Sequence, residues 1–332
     1  MKSFKTIIDG LKRGPVDCVG IDFGTATTKL VRLRNAGTDV QLVAAEILPP
    51  SAGDLVIPPR VRAHYAGITT SRGHAITKLL TFPGAIDSAF QARLRKSLGL
   101  NDEDDSRISY RLITEGQGRV ESRALAVSLD HATADPLLQH FSSGIPVPQS
   151  LEIASLSALT AFEYGPVANA HGQAIGLIDF GTTKTTLSFF YRGSLVLMRQ
   201  FDFGTRSLFE RVETALHVDT QTAQGILADS AFDVSELLGD IMNPVINQFV
   251  VSRDFIERRE NCSDIKLLAT GGVALSKAAM QEIEQALSVD IAVWNPLEGL
   301  TIAPQALAPE IEDQHWRLGA AIGAALAVLE AS

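Results

Sequence analysis

Short apolar runs, broken by glycine and small hydroxylated residues, set the rhythm of this chain. Val19-Gly-Ile-Asp-Phe-Gly-Thr-Ala-Thr-Thr28 opens apolar, turns through Gly and Thr, and resumes as a second strand over residues 29–34. Half a chain later Gly176-Leu-Ile-Asp-Phe-Gly-Thr-Thr-Lys-Thr185 does the same and resumes over residues 187–191. The copies align without a gap: Asp22, Phe23, Gly24, Thr25 and Thr28 match Asp179, Phe180, Gly181, Thr182 and Thr185. Strand, glycine turn, strand is a hairpin, not the strand-to-helix turn of a P-loop or dinucleotide fold. Two halves that open alike predict a duplicated α/β domain with a cleft between them.

Elsewhere the spacing is helical. A third Asp-Phe-Gly-Thr, residues 202–205, is followed by Leu208, Val212 and Leu216, so Gly204 reads as a helix entry rather than a third hairpin. Val234, Leu237, Leu238, Ile241, Val245, Phe249 and Phe255 keep one stripe, with a kink predicted at Pro244. Residues 265–271 read as a buried strand ending at Gly271-Gly272; Ser276 then caps a helix with Ala279, Ile283 and Leu287 inward. The longest apolar stretch, residues 318–329, is 12 residues, short of the roughly 20 that span a bilayer. Its Gly319 and Gly323 predict a buried helix lying close on a sheet. At the start, Phe4, Ile7, Ile8 and Leu11 alternate with Lys2, Lys5, Lys12 and Arg13. The expectation there is a frayed leader or a helix packed on its own domain, ahead of a helix lying on anionic lipid.

Composition narrows the function. The 332 residues suffice for two cores. With 29 Lys+Arg against 38 Asp+Glu and a net charge of −9, a sequence-independent grip on nucleic acid is not expected. Two cysteines, Cys18 and Cys262, build no disulfide framework and point to a reducing compartment, with Cys18 a small core residue. Residues 1–13 lack an export signal. The seven histidines show no metal-ligand spacing, and residues 102–105 read as a solvated acidic turn.

The repeated turn carries readable chemistry. Glycine lets backbone approach an oxyanion, and successive N–H groups with Thr hydroxyls cradle phosphate. The candidate contacts are Gly24, Thr25, Ala26, Thr27, Thr28 and Lys29 in the first copy. In the second they are Gly181, Thr182, Thr183, Lys184 and Thr185, with Gly204 a weaker candidate. Lys184 either touches a phosphate or points to water. Asp22 and Asp179, each closing a first strand, can hold Mg²⁺ through its waters. Gly271, Gly272 and Val273 supply flat backbone for a ligand ring.

Together, residues 20–33, 175–191 and 268–276 resemble the phosphate-1, phosphate-2 and adenosine motifs of the actin-like ATPase superfamily. Within it the chain is most similar to the PilM family of type IV pilus assembly, itself similar to FtsA. The resemblance runs from the basic leader through residues 76–83, 122–129, 144–159, 198–204 and 289–296 to Arg317-Leu-Gly-Ala-Ala-Ile-Gly-Ala-Ala325. It implies a duplicated RNase H-like, actin-like fold: two lobes around a nucleotide cleft, with an inserted subdomain of the FtsA/PilM kind. The implied organisation is a leader at 1–13, lobe 1 at 14–75, 146–170 and 315–332, an insert at 76–145, and lobe 2 at 171–314. It also implies Mg²⁺ with ATP or ADP, and a location at the inner face of the cytoplasmic membrane. The implied partner is the cytoplasmic tail of a PilN-like inner-membrane protein, with pilus motor ATPases as secondary partners. Two departures stand out: Lys184 inside the second turn, and the proline-rich residues 49–59, which replace an expected helix of lobe 1.

Three functions share this site. A nucleotide-regulated scaffold with slow or no hydrolysis is the expectation, and no residue is assigned a catalytic role. A sugar or acyl kinase needs a base beside an acceptor hydroxyl, and no such motif accompanies the hairpins. An FtsA-like filament protein is expected to close on a linker and an amphipathic helix, whereas here an apolar helix runs to the last residues.

Overall fold

The first apolar run becomes strand β1, Asp17–Phe23, in the computed structural model, which describes residues 15–50, 55–87, 89–101, 103–116, 120–142, 144–228, 233–262 and 264–330. The basic leader lies outside the described residues, as do 51–54 of the proline-rich segment. β1 forms the expected hairpin with β2 (Thr28–Ala36), and β3 (Asp39–Leu48) adds antiparallel to β2. After Pro58 the described chain makes only one 3₁₀ turn, Pro59–Val61, before β4 (Tyr65–Thr70) pairs parallel with β1.

Between β4 and the next strand of this sheet lies a separate three-stranded sheet, packed on the first core through Leu79, Ile113 and Leu125. Strands β5 (Ala75–Phe82), β6 (Ser106–Thr114) and β7 (Ser122–Asp130) form an antiparallel sheet in the order β5-β7-β6. Helix α1 (Phe90–Leu98) covers it, and Phe82, Phe90, Leu94 and Leu98 are buried together there. Asp130 then caps α2 (His131–Gln139), accepting from Thr133 N at 2.7 Å. β8 (Val147–Ile153) returns to the first sheet beside β4 and leads into α3 (Ala154–Phe162), which ends in a π turn, Glu163–Val167.

The second half repeats the first. β9 (Ala174–Phe180), β10 (Thr185–Tyr191) and β11 (Ser194–Phe201) are the antiparallel trio, and β12 (Ile265–Gly271) and β13 (Ile291–Val293) the parallel pair. The order β11-β10-β9-β12-β13 reproduces β3-β2-β1-β4-β8. Helices α4 (Thr205–Leu216), α5 (Thr220–Ala228), α6 (Ser235–Glu260) and α7 (Lys277–Leu287) complete this half. The α6 stripe buries Leu238, Ile241, Val245 and Phe249 and runs through Pro244 as one helix. Phe255 departs from the expected stripe and is exposed, because Ser252 and Ile256 occupy the buried positions of the last turns. A second departure is β14 (Thr301–Ile302), which pairs with β3 of the first sheet, so the second half gives way before residue 314.

After the short helix α8 (Pro309–Glu312), α9 (Gly319–Glu330) lies across the first sheet at backbone contact. A Cβ on Gly20 would sit 1.8 Å from Ala321 O, and one on Gly323 would sit 1.6 Å from Ser157 O. The small residues therefore serve close packing, and no helix among the described residues is long and apolar enough to cross a membrane. Cys18 belongs to this core. Its thiol donates to Ala325 O at 3.2 Å, and burial, with Asp17 adding to it, pushes it up to about 12. Across the base of the halves Phe162 packs edge-on to Trp294 with ring centroids 5.4 Å apart.

Candidate functional site

The two hairpin turns face each other across a cleft of about 720 Å³. Its wall takes Gly24, Thr25, Ala26, Thr27 and Lys29 from the first turn, and Gly181, Thr182, Thr183 and Lys184 from the second. Asp22, Asp179, Gly271 and Gly272 join them. Gly271 has φ +90° and lies against the second hairpin, where a Cβ would sit 1.9 Å from Phe180 O. Only glycine fits there.

Four sequence candidates stand behind the wall instead. Thr28 and Thr185 are fully buried, and the Thr185 hydroxyl donates to Phe203 O at 2.8 Å. Val273 is buried in the second core. Gly204 is a seam: Thr205 N donates to Gly181 O and Arg206 N to Thr182 O, so the start of α4 is stitched to the second turn. A Cβ at Gly204 would sit 2.5 Å from Gly181 O. These residues shape the turns rather than line the cleft.

Charge in the cleft is uneven. Lys29 Nζ lies 2.8 Å from Asp22 Oδ2, while the buried Asp22 Oδ1 has no hydrogen-bond partner. The Asp179 carboxyl is pushed up to about 6, first by burial and then by the negative charge of Asp22, with Lys29 opposing. An unpartnered carboxylate oxygen and a second carboxylate that resists ionisation are what a divalent cation between them would relieve. Mg²⁺ keeps several waters and needs only one or two carboxylates. The pair fits that ion, although no group of three or more His, Cys, Asp or Glu gathers among the described residues.

Sequence reasoning missed part of the wall. Arg317, in the 3₁₀ turn His315–Leu318 ahead of α9, donates from Nη2 to Thr27 Oγ1 at 2.8 Å. Trp316 and Trp294 also line the cleft, as do Glu210 and Glu213 of α4. Gln200 Nε2 bridges to Ser155 Oγ and Thr186 Oγ1, each at 3.1 Å. Behind the wall, Arg72 Nε holds the first turn through Gly24 O at 3.1 Å. Arg317, Gln200 and Trp294 lie in stretches that carry the resemblance, which gave them no role; Trp316, Glu210, Glu213 and Arg72 had no signal.

With this geometry in view, comparison with known proteins is decisive. The family model for the type IV pilus assembly protein PilM matches residues 154–328. The chain belongs to the PilM family. A solved structure of the PilM-PilN type IV pilus biogenesis complex aligns with 94% of this PilM-family chain and 98% of its own, with a TM-score of 0.72 and 16% identity. A Bacteroides thetaiotaomicron protein of actin-like ATPase fold and unknown function covers 90% of this chain and 95% of its own, with a TM-score of 0.50 and 11% identity. At such identities the likeness is one of fold: the duplicated halves form the two lobes of an actin-like protein.

Proposed function

We propose that this PilM-family chain is a nucleotide-binding scaffold of type IV pilus assembly, taking one Mg-ATP or Mg-ADP in the cleft. Two copies of one Asp-Phe-Gly-Thr hairpin facing a single cleft carry the proposal. Asp22 and Asp179 would hold Mg²⁺, the two turns the phosphates, and Gly271-Gly272 the base. Bound there, Mg²⁺ supplies charge that offsets both the phosphates and the two carboxylates. Turnover is slow or absent, and the work of the nucleotide is to set the arrangement of the lobes.

The likeness to the PilM-PilN complex supports a PilN-like partner; docking of such a protein's cytoplasmic tail would hold the chain at the inner face of the membrane. A tail that orders on docking prefers a preformed surface, so its affinity reads the state of the lobes.

Calorimetry on nucleotide-stripped protein tests the site. One saturable Mg-ADP site is expected, weakened more than about tenfold by Asp22→Ala and by Gly272→Trp. A folded wild type with no saturable binding would overturn the proposal. A labelled tail peptide titrated with ATP, with ADP and without nucleotide is expected to show affinities differing by about 5- to 150-fold; equal affinities would remove the switch.

A further inference from the structure

Arg317 is a half-buried cation held on the first turn by neutral groups. Nη2 donates to Thr27 Oγ1 at 2.8 Å, and Nη1 donates to Gln314 Oε1 at 2.6 Å. Among the described residues no carboxylate lies within 4.0 Å of its guanidinium. The fork has five N–H donors, and these two contacts use two of them. Burial pushes the guanidinium down from its ordinary value, and only the charge of Asp22 opposes this. That carboxylate is already paired with Lys29 at 2.8 Å.

The surrounding backbone fixes the position. Leu318, next in sequence, is fully buried in the first core, and α9 beyond it sits at backbone contact with α3 through Gly323. The guanidinium lies 5.8 Å from the Trp316 ring centroid, a second restraint on its orientation. A desolvated cation with spare donors is costly unless an anion meets it, and a planar fork matches two oxygens of one phosphate better than any point charge does. The other cations of the cleft are placed differently: Lys29 is engaged by Asp22, while Lys184 and Arg206 are exposed.

We infer that Arg317 is a phosphate-contacting residue of this cleft and makes it select nucleoside di- and triphosphates over nucleosides. The inference rests on the nucleotide reading above and names the side chain that reads the phosphate chain from the α9 side, through the first turn.

The test titrates wild type, Arg317→Gln, Arg317→Lys and Gln314→Leu with Mg-ADP, adenosine and Mg-pyrophosphate, each variant first checked for a native unfolding transition. Arg317→Gln is expected to weaken ADP and pyrophosphate by roughly 10- to 100-fold, the scale of a hydrogen bond to a charged group. Adenosine affinity stays unchanged. Arg317→Lys recovers only part of the loss, because an ammonium cannot form the fork. Gln314→Leu, which releases the Nη1 anchor outside the cleft without touching the charge, weakens ADP by a few-fold, leaves adenosine unchanged and keeps the test alive if Arg317→Gln does not fold. Equal losses for ADP and adenosine would mean a structural role and overturn the inference. So would unchanged ADP binding in a folded Arg317→Gln, and in that case the nucleotide site itself stands. A wild type that binds none of the three ligands overturns both.

Discussion

Asp22 lies opposite Lys29 across the first hairpin, and Asp179 lies opposite Thr186 across the second. The registers are the same, but the neighbours are not. Lys29 supplies Asp22 with a counter-ion 2.8 Å away, whereas Thr186 offers Asp179 a neutral hydroxyl that accepts from Gln200. The duplicated halves have kept the glycine and threonine that make the turn and have diverged in the charge beside it. One carboxylate comes with its cation; the other is left to titrate near pH 6. Packing diverges one turn of the pleat away. Gly20 meets the backbone of α9, and its counterpart in the second strand is Leu177; Gly176, the counterpart of Val19, lies on the opposite face and meets side chains, Leu267 and Phe189.

The packing difference predicts the largest effects. Backbone cannot retreat as a side chain can, so Gly20→Val or Gly323→Val is expected to cost more than about 3 kcal/mol. A Cβ on Gly176 would lie 2.8 Å from Leu267 Cδ2 and from the Phe189 ring, atoms that can shift, so Gly176→Ala should cost under about 2 kcal/mol. Urea unfolding of the variants measures both. Equal losses would mean that backbone yields as readily as side chains and would erase this part of the comparison.

How much of this was legible follows from how local each cause is. The hairpins could be read because a turn of glycine and threonine is specified by adjacent residues, and the repeat then pointed to two like halves around a cleft. The α9 run could be read as buried because its length is set against a bilayer. β14 could not: two residues, Thr301 and Ile302, pair with Gln41 and Leu42 from the far side of the sequence, with no pattern of their own. Thr28 and Thr185 were legible as turn residues but not as buried ones, since the same hydroxyl serves a ligand or a neighbouring carbonyl. Arg317 reaches the cleft only because the last helix folds back onto β1.

The charge difference predicts the next effect. Asp22 and Lys29 side chains are only 5% and 15% exposed, so Lys29→Met would leave a carboxylate buried without its cation. The expected cost is about 3 kcal/mol near pH 7. In the second hairpin Thr186→Val removes one neutral hydrogen bond and should cost about 1 kcal/mol. Denaturant titration of the two variants, with Asp22→Asn combined with Lys29→Met as the paired control, reads the gap. The control is expected to recover part of the loss, because it removes the stranded charge. If Lys29→Met costs no more than Thr186→Val, the ion pair is not what distinguishes the first hairpin.

The last effects concern the proton on Asp179. Its carboxyl is at about 6 in the folded chain against an ordinary value of 3.8, so between those pH values the folded state binds more proton than the unfolded one. Stability from this group is therefore present below about pH 4, falls as pH rises, and is gone above about pH 6. Asp179→Asn, fixed in the neutral form, should match wild type at pH 4 and exceed it by about 2 kcal/mol at pH 7.5 in the absence of nucleotide. Thr186→Lys then transplants the first hairpin's arrangement into the second. The new ammonium would stand opposite Asp179 as Lys29 stands opposite Asp22, favouring the ionised carboxyl. Its attraction is offset by desolvation and by the lost bond to Gln200, so net stability at pH 7 should move by less than about 1 kcal/mol. The proton is the sensitive readout, and a carbon-13 titration of the Asp179 carboxyl should show its midpoint falling below 6. Burial is the larger cause of the raised value, so the fall should be partial. A midpoint that stays at 6 would assign the whole difference between the hairpins to burial, and the missing counter-ion would explain nothing.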